Sequence, residues 1–113
     1  MLLAFASSAY SQNDDYYVRQ AESYMRDAEY YTRKAESYER EAEYYNRQAQ
    51  NYLREAEYYS RQNKPDKVKT YMRWAQEATD KVEQRKKWAA DAREKAEQRM
   101  KWAQEALRKA GRR

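Results

Sequence analysis

From Tyr17 to Tyr59 a tyrosine occupies every seventh position: Tyr17, Tyr24, Tyr31, Tyr38, Tyr45, Tyr52 and Tyr59. Alanine stands four positions after each of the first six, at Ala21, Ala28, Ala35, Ala42, Ala49 and Ala56, and arginine keeps the same interval from Arg19 to Arg61. An α-helix has 3.6 residues per turn, so a strict seven-residue interval places each class on its own stripe. With the Ala positions named a, the Tyr positions become d, and together they make a coiled-coil seam with unusual occupants.

Composition alone points the other way. Leu, Ile, Val and Phe supply only eight of the 113 residues, well under the roughly 20% that separates globular from disordered chains. The periodicity overrules this, because a disordered tract has no reason to hold three residue types in register over six or seven repeats. Gly111 and Pro65 are the only Gly and Pro, so almost nothing interrupts a helix. The abundant Ala, Glu, Arg, Lys and Gln favour long helices independently of the pattern.

Outside the seam the first repeat is equally regular. Glu22, Glu29, Glu36, Glu43 and Glu57 each precede an arginine by four residues, the favourable order for a surface pair worth about 0.2–0.5 kcal/mol. Position c alternates between Tyr (Tyr16, Tyr30, Tyr44, Tyr58) and a small polar residue (Ser23, Ser37, Asn51), so the true unit is fourteen residues long. Asn13, Asp14 and Asp15 place a capping side chain and two carboxylates where a helix start favours them.

Asn63-Lys64-Pro65-Asp66 breaks the pattern. Asn suits the end of one helix, Pro the first turn of the next, and Asp66 its positive end. A proline kink in one rod is the rival reading. It is disfavoured because the second Ala series (Ala75, Val82, Ala89, Ala96, Ala103, Ala110) is five residues out of phase with the first, and a hairpin need not keep phase. The second half also repeats every fourteen residues: Trp74, Trp88 and Trp102 are each followed by Ala four positions on, at Ala78, Ala92 and Ala106, and these six are expected to form its side of the packing seam. Glu77 with Lys81, Asp91 with Lys95 and Glu105 with Lys109 make i,i+4 pairs.

The expected fold is therefore all-α: an antiparallel two-helix hairpin with an Ala/Tyr seam, associating into a larger bundle or filament. Residues 12–62 form the first helix, 63–66 the turn and 66–113 the second helix. If the turn sets the register, residues whose numbers sum to about 128 share a level. Trp74, Trp88 and Trp102 then fall near Tyr52, Tyr38 and Tyr24, and Arg85 and Arg99 fall at the levels of Glu43 and Glu29, with Glu41 and Asp27 close by.

Residues 1–11, an apolar run ending in small residues, resemble the end of a secretory signal, with Ala9 and Ser11 at −3 and −1 of a cut before Gln12. This predicts export to a periplasm, envelope or exterior. The segment is too short to span a membrane.

Chemistry is conspicuously missing. There is no Cys and no His, which removes disulfides, thiolate and imidazole chemistry and the usual zinc sites. The glutamates of the first helix lie two turns apart, too far for paired-carboxylate catalysis or a shared metal. No catalytic, cofactor or metal residue is expected, and the chain is read as no enzyme.

Two partner classes remain in view. The favoured partner is the chain itself, because one apolar stripe per helix buries little, with Tyr16, Tyr30, Tyr44 and Tyr58 as lateral contacts. The alternative is a polyanion such as nucleic acid or an acidic envelope polymer. Residues 1–62 carry 8 basic and 11 acidic side chains, residues 63–113 carry 16 and 8. The surplus bases of the second half, Arg73, Arg85, Lys86, Arg93, Arg99, Arg108, Arg112 and Arg113, would supply phosphate contacts. A membrane-surface role is weaker still, since few Leu or Phe are present to insert.

Overall fold

The computed structural model describes residues 12–111, which form two helices and no strand: α1 over Gln12–Arg61 and α2 over Pro65–Gly111. The chain is an all-α antiparallel hairpin. Asp14 and Asp15 sit in the first turn of α1, where carboxylates oppose the positive end of the helix. The signal-like reading of residues 1–11 and the two C-terminal arginines lie outside the described residues.

The turn is built by its sequence. Asn63 adopts φ 56°, the left-handed conformation that Asn tolerates better than most residues. The Lys64 N–H donates to the Tyr59 carbonyl at 3.0 Å and the Asn63 N–H to the Ser60 carbonyl at 3.2 Å, the paired bonds of a Schellman stop. The Lys64 carbonyl then accepts from the Val68 N–H at 3.1 Å. Pro65 occupies the first position of α2, where its missing N–H costs nothing. One helix ends and the next begins within three residues.

The chain divides into two compact units, each made from both helices. The turn unit is Lys34–Asp91; the terminal unit joins the described parts of Met1–Arg33 and Ala92–Arg113. In the turn unit Tyr38 meets Trp88 and Tyr52 meets Trp74, with ring centroids 5.4 and 5.7 Å apart. A step of fourteen up α1 is a step of fourteen down α2, as antiparallel packing requires, and each pair sums to 126. In the terminal unit Tyr24 meets Trp102 at 5.5 Å, again a sum of 126. The aromatic partners are those expected, but the register is 126 and not 128. The physical reason is the turn: its centre of symmetry is Asn63, the left-handed residue, one residue nearer α1 than the centre at 64 that a sum of 128 implies.

The core is almost entirely alanine. Ala35, Ala42, Ala49, Ala56, Ala75, Ala78, Val82 and Ala89 are buried in the turn unit; Ala21, Ala28, Ala92, Ala96, Ala103 and Ala106 in the terminal unit. Among the described residues no large side chain is fully buried. The buried α2 positions follow the a/d spacing of three and four, with two d positions, 85 and 99, occupied by half-buried arginine instead of alanine. Small side chains at the seam let backbones approach closely, so larger rings are displaced to its edges.

Candidate interaction surface

The aromatic rings gather in repeating stacks beside the alanine seam. Tyr24, Tyr31, Tyr38, Tyr45, Tyr52 and Tyr59 are half-buried at d on α1. Trp74, Trp88 and Trp102, read above as seam residues, are 38–40% exposed and stand one residue before the buried Ala75, Ala89 and Ala103. They flank the seam instead of filling it, because no indole fits between helices separated by alanine. Each packs edge-on against its tyrosine, at 61–65° between ring planes, the arrangement favoured by the ring quadrupoles.

The most specific feature is where the two seam arginines go. In the turn unit the Arg85 guanidinium lies over Trp88 at 4.7 Å and Tyr45 at 5.4 Å, and its Nε donates to a Glu41 carboxylate oxygen at 3.3 Å. In the terminal unit Arg99 lies over Trp102 at 4.6 Å and Tyr31 at 5.5 Å, with Asp27 at 3.9 Å. The side chains of Arg85 and Arg99 are only 17% and 21% exposed. A planar guanidinium suits this place because it can stack on rings and hydrogen-bond in its own plane at once. The acid partners are Glu41 and Asp27; the expected Glu43 and Glu29 instead pair along α1 with Arg47 and Arg33. The shift follows from the two-residue correction to the register.

This placement changes the account of charge. Arg85 and Arg99, counted above among candidate polyanion contacts, are engaged within the hairpin. Arg73, Lys86, Arg93 and Arg108 are exposed, and Arg112 and Arg113 lie outside the described residues. Lys81, Lys95 and Lys109, expected to pair with acids four positions earlier, instead rest over Tyr45, Tyr31 and Tyr17 at 5.1–5.7 Å. The acids of α1 do pair as expected at three sites, Glu29 with Arg33, Glu43 with Arg47 and Glu57 with Arg61.

Tyr16, Tyr30, Tyr44 and Tyr58 are 51–59% exposed. Each ring stands edge-on to that of the next residue, with centroids 5.1–5.4 Å apart. Sequence reasoning overlooked a second exposed set. Met25 and Leu53 on α1, and Met72 and Met100 on α2, are each separated by 28 residues and are 37–49% exposed, as is Leu107. The signal was available: all five occupy the position four after an a residue, but the more numerous tyrosines dominated the pattern.

Among the described residues no three His, Cys, Asp or Glu side chains come together to hold a metal ion, and no helix is long and apolar enough to cross a membrane. No family model matches the chain, and no curated protein or solved structure matches it either.

Proposed function

We propose that this protein is a structural subunit that associates with copies of itself into a bundle, fibre or filament, after export to an envelope or exterior. One observation carries the reading: the buried apolar core is alanine throughout the terminal unit and alanine with one valine, Val82, in the turn unit, while Tyr16, Tyr30, Tyr44, Tyr58 and five Met or Leu side chains are more than one-third exposed. Alanine methyls contribute little buried area, at about 0.8 kcal/mol per buried carbon, and scaffolds with so small a core gain stability by association. The repeat supports the same reading, since uniform units offer the same contact many times. The export component rests on the signal-like pattern at residues 1–11.

The rival polyanion reading draws on the basic second helix, but the engagement of Arg85 and Arg99 removes two of its eight candidate contacts. Negative-stain electron microscopy over a concentration series at physiological salt tests the proposal. Filaments or regular bundles are expected. Uniform small particles at every concentration would overturn it, and the exposed bases of α2 would become the place to seek a ligand.

A further inference from the structure

Two grooves beside the seam are lined by the same residues 28 positions apart. In the terminal unit Gln20, Tyr24, Trp102, Glu105, Ala106 and Lys109 line a groove of about 270 Å³. In the turn unit each lining residue of α1 recurs 28 positions later, Gln48 and Tyr52, and each of α2 28 positions earlier, Trp74, Glu77, Ala78 and Lys81, around about 370 Å³. Twenty-eight is twice the fourteen-residue unit, so the groove is a product of the repeat.

The lining has a definite chemistry. In the turn unit its floor is an alanine methyl, its walls are three phenols and an indole that is more than one-third exposed, and its rim carries one carboxylate, one ammonium and one amide. An aromatic ring would lie against these walls, and a hydroxyl on that ring would find both an acceptor and donors at the rim. The molecule itself presents such a group at the same period. In the turn unit Tyr44 borders the groove, and its hydroxyl accepts a hydrogen bond from Gln48 Nε2 at 3.1 Å. Tyr58, fourteen residues on at the same heptad position, is 52% exposed and stands edge-on to Tyr59 at 5.1 Å. Ring and groove therefore belong to one unit and one stripe of α1, which permits two copies to face each other and exchange rings in a self-complementary contact.

We infer that the turn-unit groove receives Tyr58 of a second copy of this chain, ring against Trp74 and Tyr52 and hydroxyl among Glu77, Gln48 and Lys81. This rests on the self-association proposed above and names its contact. Periodicity sustains it: the ring that enters and the groove that receives recur at multiples of the same fourteen residues.

The test uses the full chain carrying Trp88→Phe and Trp102→Phe, so that Trp74 is the sole indole, with helicity checked by circular dichroism. Sedimentation velocity and acrylamide quenching of Trp74 are followed over the same concentration series. The expected result is a loss of quenching in step with assembly, abolished together with assembly by Tyr58→Ser, an exposed site whose change leaves helicity intact. Assembly with unchanged Trp74 quenching, or undiminished assembly of the Tyr58→Ser protein, would overturn the inference while leaving self-association standing. Absence of assembly at every concentration, in this chain and in the unsubstituted one, would overturn both.

Discussion

Three levels of the hairpin repeat the same tryptophan and tyrosines at fourteen-residue intervals, but the α2 residue three positions before the tryptophan is not the same in all three. At Arg85 and Arg99 a guanidinium is held between a tryptophan and a tyrosine and reaches an acid on α1, Glu41 or Asp27. Nearest the turn the equivalent residue is Tyr71. It stacks on Tyr59 at 5.5 Å and 10°, and meets Trp74 edge-on at 5.2 Å. Glu55, which follows Asp27 and Glu41 at the same interval, stays exposed. Lys67 supplies a cation over Tyr59 from outside at 5.2 Å. At all three levels a flat side chain fills the space between the rings, and where it is arginine the acid on α1 completes its hydrogen bonding.

The comparison breaks most readily at its centre. Tyr71→Ala removes a stacked ring beside the turn and should cost about 2–3 kcal/mol, read by urea unfolding followed by circular dichroism. Arg85→Ala should cost about 2 kcal/mol, from two ring contacts and a charge-assisted bond. Arg99→Ala should cost less, because its acid is farther away; equal losses at 85 and 99 would show that the rings alone matter. Arg85→Lys keeps charge but loses the plane, and should retain about half of the arginine's contribution. Tyr71→Arg sharpens the comparison: with Glu55 available on α1, it should cost under about 1 kcal/mol, and a loss as large as that of Tyr71→Ala would refute the equivalence of the three levels. Smallest of all, Glu57→Gln at the exposed pair with Arg61 should cost about 0.2–0.5 kcal/mol and vanish at high salt.

Much of this was legible in the sequence. Heptad spacing marked both helices, the dipeptide Lys64-Pro65 after Asn63 marked the turn, and the fourteen-residue tryptophan interval led to the tyrosines each indole meets. What the sequence hid depended on register. Whether the turn centres on residue 63 or one residue later is decided by backbone hydrogen bonds, and that choice moved Arg85 from Glu43 to Glu41. The lysines at 81, 95 and 109 read as partners of nearby acids because the tyrosines they cover lie on the other helix. Arg85 and Arg99 were the deeper oversight. Both were set against acids of α1 and also counted among bases free for a polyanion, yet they continue the 75, 78, 82 spacing of the seam and so belonged to it by position.

The central claim is that an alanine-cored hairpin leaves its larger apolar side chains for contact with further copies of itself. Thermal unfolding by circular dichroism over a hundredfold range of protein concentration tests it most directly. If association completes the fold, the midpoint rises with concentration, since a partner that binds only the native state stabilises it by mass action. A midpoint independent of concentration, with a single cooperative transition throughout, would show a hairpin sufficient in itself and contradict the claim.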